Sequence, residues 1–149
     1  MGKVIGSVVL GYVVMVIMVF VLMSLVWMVV GASGAFQAGS WDVSAGWIVG
    51  SIIVGLVAAI AGGYVCALVA KDPRGPKALL VVVVVLGILF AIPALTGGGE
   101  VPTIPRTDTI SMMDAMQNIQ QPVWVALLNP IIGAIGVFIG ARLRPTPTA

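Results

Sequence analysis

Four long apolar stretches dominate this 149-residue chain and limit what it can fold into. A bilayer's hydrocarbon layer is about 30 Å thick, and a helix needs roughly 20 residues to cross it. Each stretch meets or approaches that length, and none carries Asp, Glu, Lys, Arg or His deep inside it. We therefore expect four transmembrane helices within a single integral membrane domain, residues 1–149. The predicted spans are residues 4–30, 47–70, 78–95 and 123–141.

The composition excludes a water-soluble fold. Hydrophobic residues make up 60% of the chain and charged residues only 8%, far from the usage of soluble domains. Helices are favoured over strands because each helix satisfies its own backbone hydrogen bonds in lipid. The alternating pattern of a membrane β-barrel is absent. The sequence thus predicts an all-α fold, a four-transmembrane-helix bundle.

The first apolar stretch shares some features with a cleavable signal peptide. Lys3 precedes it and the small residues 31–34 follow it. Its apolar run is about twice the usual signal core, which reaches roughly 15 residues. We expect it to be retained as a signal-anchor helix.

The basic residues predict the orientation. Six of the seven Lys and Arg residues fall on one side of the predicted topology. By the positive-inside rule, both termini are expected in the cytoplasm, most simply in a bacterial cytoplasmic membrane. The net charge of +2 then reflects topology, and we expect no nucleic-acid partner. The six are Lys3, Lys71, Arg74, Lys77, Arg142 and Arg144, whereas Arg106 lies outside with Asp42, Glu100, Asp108 and Asp114.

A predicted cytoplasmic turn at residues 71–77 connects the second and third spans. Its segment Asp72-Pro73-Arg74-Gly75 matches a type I β-turn, with Asp first, Pro second and Gly fourth. We therefore expect the second and third spans to form a tight antiparallel hairpin.

Two outer loops are predicted, at residues 31–46 and 96–122. In the second, Ile110, Met113 and Met116 recur at helical spacing. We interpret residues 109–121 as a short amphipathic interfacial helix, with its Met/Ile face on lipid or on the bundle.

Small residues form rows along the second and fourth spans. In lipid, helices associate where small side chains let the backbones approach, so we interpret these as helix-interface residues. The second span has two adjacent rows, more than one partner helix requires. Either both rows hold the chain's own bundle together, or one contacts another protein chain. The rows are Ser51, Gly55, Ala59, Gly63 and Ala67; Ala58, Gly62, Cys66 and Ala70; and Asn129, Gly133, Gly136 and Gly140.

Prolines inside the spans predict kinks at Pro93 and Pro130, because proline removes an internal hydrogen bond. Asn129 precedes Pro130, and two interpretations stay open. Freed carbonyls there could line a polar site, or the kink is structural and the Asn129 amide bonds to a neighbouring helix. The remaining polar side chains within the spans are uncharged: Ser7, Tyr12, Ser24, Ser51, Tyr64 and Cys66.

The sequence offers no catalytic, cofactor-binding or metal-binding constellation. It contains no His and a single Cys, which excludes an imidazole base and an internal disulfide. The run Met112, Met113 and Met116 could ligate copper, but one amphipathic turn supplies the same spacing. We expect a protein that is not an enzyme and holds no cofactor other than bound lipid.

Two functions remain open. The leading interpretation is an accessory or structural subunit that packs into a larger membrane complex through its small-residue helix faces. Its partners would be membrane lipids and other integral membrane subunits, or further copies of itself. The alternative is a homo-oligomeric channel or uncoupled transporter for a small neutral or hydrophobic solute, acting through Asn129 and Pro130. Coupling to ions usually needs an ionisable group inside the membrane.

Overall fold

The chain folds into five α-helices in the computed structural model, which describes residues 2–96 and 110–144. Four of them are long and apolar enough to cross a membrane, which confirms the prediction of an all-α protein with four such helices. The first half of the second predicted outer loop, including Glu100, Arg106 and Asp108, lies outside the described residues. The helices are α1 (Gly2–Ala35), α2 (Ala45–Ala70), α3 (Arg74–Leu95), α4 (Met112–Asn118) and α5 (Val123–Arg142).

Helix α2 begins before its predicted apolar run because a polar residue caps it. The Ser44 hydroxyl accepts the backbone N–H of Trp47 at 3.1 Å and donates to the carbonyl of Gly34 at 2.6 Å. This arrangement starts α2 two residues before the predicted span. At the end of α1, Gly31 adopts φ 60° and ψ −170°, so the last turn is set apart from the rest of the helix.

The turn between α2 and α3 has the hydrogen bonds of the predicted type I turn. The Gly75 N–H donates to the carbonyl of Asp72 at 3.2 Å, and the Asp72 carboxylate accepts the N–H of Arg74 at 2.8 Å. The two helices nevertheless pack on each other only over a short length, because α3 lies mainly against α5. The expected tight pairing of these two helices is therefore wrong.

Helix α2 lies at the centre of the bundle, between α1 on one side and α5 on the other. Helix α3 completes the bundle against α5. The contact of α3 with α1 is less extensive than its contact with α5. A compact core forms around the fully buried side chains of Cys66, Leu79 and Val137. We call the end of the bundle with residues 36–44 and α4 the loop end, and the opposite end, with Gly2, the terminal end.

An aromatic cluster covers the loop end. The Trp27 ring meets the Trp47 ring edge to face at 5.9 Å, and Phe36 meets Trp41 in the same way at 5.7 Å. Trp41 and Trp47 are buried. Of the four tryptophans, Trp124 alone does not belong to this cluster, and it is 54% exposed.

Helix α4 is shorter than predicted, and its apolar face is divided. Met113 and Met116 are 64% and 61% exposed, whereas Ile110 and Ile119 pack against the aromatic cluster. The helix ends early because residue 120 pairs with the first loop: the Gln120 N–H donates to the carbonyl of Trp41 at 2.9 Å. This pairing anchors the start of α5 to the loop end.

Candidate functional site in the helix bundle

One small-residue row of α2 contacts α5. A Cβ built on Gly63 would overlap the backbone of Val137, and one built on Gly136 would lie 2.5 Å from the Cβ of Ala59. Gly140 likewise lies against the α2 backbone. Because these residues lack larger side chains, the two helices approach to backbone contact. Ala67, the last residue of this α2 row, is also buried.

The second row of α2 contacts α1. A Cβ on Gly62 would lie 2.6 Å from the carbonyl oxygen of Gly11 and would collide with Met15. One turn further on, the buried Cys66 thiol donates to the Ser7 hydroxyl at 3.8 Å. Both rows of α2 are thus covered by helices of the same chain.

Gly87 and Gly133 bring α3 and α5 into close contact. A Cβ on Gly87 would lie 2.8 Å from the Cβ of Pro130, and one on Gly133 would lie 2.6 Å from a methyl group of Val83. Pro130 is buried in this contact, whereas Pro93 is exposed near the loop end. Both helices continue through their prolines. Since Pro130 has no N–H, it cannot bond to the carbonyl one turn earlier in α5.

A cavity of about 340 Å³ lies between the four long helices, in the half nearer the loop end. This volume falls within the range of about 300–1,000 Å³ that is usual for small-molecule sites. Each of the four helices contributes to its wall. The wall is mostly apolar and includes Met15, Val19, Met23, Val54, Val83, Leu86 and Ile132.

The row of α2 that contacts α5 also lines this cavity, at the part of the row nearer the loop end. Ser51 and Gly55 are its members nearest the loop end, and both line the cavity. A Cβ on Gly55 would meet no heavy atom within 4 Å, in contrast to one on Gly63. Gly55 therefore leaves open space where the same row, two turns further on, makes backbone contact.

Four polar side chains line the cavity: Tyr12, Ser51, Gln121 and Asn129. The Ser51 hydroxyl donates to the carbonyl of Ile48 at 2.8 Å and keeps its lone pairs as acceptors. Asn129 is exposed and makes no side-chain hydrogen bond within the described part of the chain. The expected amide bond from Asn129 to a neighbouring helix is therefore absent from this part of the molecule.

Ser51 and Asn129 lie at the same depth in the bundle. Helices α2 and α5 both run from the loop end, and Gly136 of α5 packs beside Ala59 of α2. Ser51 precedes Ala59 and Asn129 precedes Gly136 by a similar length of helix, about 11 Å at 1.5 Å per residue. No Asp, Glu, Lys or Arg is among the cavity-lining residues. The described lining can thus hydrogen-bond an uncharged polar group but offers no charge to balance an ion.

A second cavity of about 820 Å³ adjoins the first at the loop end, between α3, α4 and α5. The two share four lining residues: Gly87, Phe90, Gln121 and Asn129. Towards the terminal end, the close contacts of Gly11 with Gly62 and Cys66 bound the inner cavity. The two cavities therefore adjoin in the half of the bundle nearer the loop end.

Sequence reasoning identified Ser51, Gly55 and Asn129 but not the space they surround. It gave no role to Gly11, although Ser7 and Gly11 are spaced by four residues like the rows of α2. That spacing was a usable signal for the α1 contact. Nothing in the sequence pointed to Gln121.

Within residues 2–96 and 110–144, no group of three or more His, Cys, Asp or Glu residues is arranged to hold a metal ion. In the comparisons with known proteins, no family model, no curated protein and no solved structure matches the chain.

Proposed function

We propose that this is a noncatalytic multi-pass membrane protein that binds a small, neutral and mostly apolar solute between its helices and transports it without ion coupling. The cavity of about 340 Å³ carries this proposal. Its apolar wall suits an apolar body, and Asn129 with Ser51 suits one uncharged hydrogen-bonding group. Small-molecule sites typically combine a large apolar lining with a few placed polar groups.

Transport without ion coupling is supported by the uncharged lining. Coupling to protons or cations usually relies on ionisable groups inside the membrane. The polar groups at this cavity are hydroxyls and amides. A solute would then move only down its own concentration gradient.

We further propose that the terminal end faces the cytoplasm across the cell membrane. Lys3, Lys77 and Arg142 are among the six basic residues at that end, as the positive-inside rule requires of a cytoplasmic side. In this orientation α4 lies at the outer membrane surface, with the exposed Met113 and Met116 in lipid. The solute would enter from the outer side.

A structural role in a larger membrane complex ranks second. Its main support was the second small-residue row of α2, which α1 covers within the same chain. Its remaining support is the apolar surface of α1 near the loop end, where Met28 and Val29 are 73% and 85% exposed. Lipid covers such side chains equally well. Purification in mild detergent with mass spectrometry of bound proteins distinguishes the two proposals, since a species without protein partners argues against the complex.

Uptake into proteoliposomes tests the transport proposal. The probes are glycerol and N-acetyl-leucinamide, the second of which has an apolar body and uncharged amide groups. We expect N-acetyl-leucinamide uptake above that of protein-free liposomes, and loss of this excess in Gly55→Leu, which fills the cavity, and in Asn129→Leu. Gly6→Leu is the matched control because Gly6 is exposed and a Cβ there meets nothing within 4 Å. Uptake at the protein-free rate with both probes would contradict transport.

A further inference from the structure

A separate cavity of about 480 Å³ lies at the terminal end, between the end of α2, the start of α3 and the end of α5. It shares no lining residue with the cavity between the four helices. It forms where α5 follows α2 closely, through Gly136 and Gly140, while α3 contacts α5 at Gly87 and Gly133. The transport proposal does not use it.

Basic side chains surround the mouth of this cavity. Lys77, Arg142 and Arg144 line it together with one acid, Asp72. The Asp72 carboxylate already accepts the backbone N–H of Arg74 at 2.8 Å. None of the three basic side chains forms an ion pair within the part of the chain that the structure describes. The mouth therefore carries an excess of positive charge suited to an anionic group.

The wall below this mouth is apolar. It includes Leu80, Val137, Phe138 and Ala141, which belong to the membrane-crossing lengths of α3 and α5. The Arg142 guanidinium carbon lies 4.2 Å from the centroid of the Phe138 ring, within the range of a cation–π contact. Phe138 is 49% exposed, so its ring extends the apolar wall towards the outside of the bundle. Positive charge and apolar surface thus adjoin.

We propose that this cavity binds an anionic phospholipid, with its phosphate among Lys77, Arg142 and Arg144 and an acyl chain along Leu80 and Phe138. Basic pockets between membrane helices suit lipid phosphate because they lie at the level of the headgroups. A free phosphate ion would use the same basic groups but would leave the apolar wall uncovered. The wall therefore favours a lipid as the source of the anion.

The chain provides a matched pair of triple variants for a test. Lys77→Gln, Arg142→Gln and Arg144→Gln together remove the three cavity cations. Lys3→Gln, Lys71→Gln and Arg74→Gln together remove three other cations of the same end, none of which lines the cavity. Both triples change the net charge equally, so a difference between them reports on the cavity and not on surface charge.

The measurement is native mass spectrometry of the full chain in detergent with phosphatidylglycerol or phosphatidylcholine. Wild type and the control triple are expected to retain one phosphatidylglycerol, while the cavity triple binds it at least about tenfold more weakly. Phosphatidylcholine is expected to bind weakly to all three. If the cavity triple fails to fold, as judged by circular dichroism, Arg144→Gln replaces it. Arg144 follows the end of α5, and its loss should weaken binding about fivefold.

Three results would overturn the lipid site. Equal phosphatidylglycerol binding by both triples would place the anion elsewhere. If the wild type retained phosphatidylcholine as well as phosphatidylglycerol, the negative charge of the lipid would not determine binding. Displacement of the lipid by millimolar inorganic phosphate, with phosphate itself bound, would identify a phosphate-ion site. Each readout is independent of solute uptake, so this inference and the transport proposal can fail separately.

Discussion

Gly63 in α2 lies directly against the backbone of Val137 in α5, at a distance that leaves no room for a Cβ atom. Gly55, two turns earlier in the same row, has no heavy atom within 4 Å of the position its Cβ would take. A single row of small residues therefore makes a backbone contact at one level and leaves a cavity at another. This difference separates the residues that hold the bundle together from those that shape the site.

Stability should respond oppositely to one added methyl group at these two positions. Gly63→Ala forces α2 away from α5, and overpacking of this kind costs about 1–3 kcal/mol. Gly55→Ala has free space and replaces glycine with a better helix former, so stability should stay the same or rise. Thermal unfolding in detergent, followed by circular dichroism, gives the comparison. Equal melting temperatures for the two variants would show that α2 and α5 do not make a backbone contact at Gly63.

The single cysteine should report on the contact between α1 and α2. Cys66 is fully buried, so N-ethylmaleimide should modify it slowly in mild detergent and rapidly in sodium dodecyl sulfate. Gly62→Leu inserts a side chain against Met15 and Gly11, which should separate the helices and speed the reaction severalfold.

Gly50→Leu is the control for this labelling, because a Cβ on Gly50 meets nothing within 4 Å. It should leave the labelling rate of Cys66 unchanged. Rapid modification of the wild type in mild detergent would mean that Cys66 is not enclosed by α1 and α2.

The orientation can be tested by accessibility in intact cells. Ala38→Cys places a thiol at the exposed part of the loop end, and Arg74→Cys places one at the terminal end. A membrane-impermeant maleimide should label Ala38→Cys directly and Arg74→Cys only after permeabilisation, because basic residues mark the cytoplasmic side. Labelling in the reverse pattern would place the loop end in the cytoplasm.

The four long helices could be predicted from the sequence because each apolar run matches the thickness of a bilayer. Their partners could not. The first span is rich in Val, yet it contacts α2 through its small residues Ser7 and Gly11. Hydrophobic runs report the length of a span. They do not report which of its faces meets another helix.

The cavity was beyond sequence reasoning for a related physical reason. Gly55 and Gly63 are the same residue type in the same row, so periodicity assigns them the same role. Their difference arises because α5 contacts α2 near Val137, while the space beside Gly55 is shared by all four long helices. Asn129 was singled out for its proline neighbour, but its position at two adjoining cavities depends on the packing of α3 against α5.

Methyl NMR of ¹³C-labelled methionine, with the protein in lipid nanodiscs, tests directly whether a neutral solute occupies the cavity. Met15 and Met23 line the cavity, whereas Met28 and Met113 are 73% and 64% exposed and do not line it. On titration with N-acetyl-leucinamide, the methyl signals of Met15 and Met23 should shift to saturation, those of Met28 and Met113 should stay in place, and Gly55→Leu should abolish the shifts. Unmoved Met15 and Met23 signals, or equal shifts of all four methyl groups, would contradict a solute site between the helices.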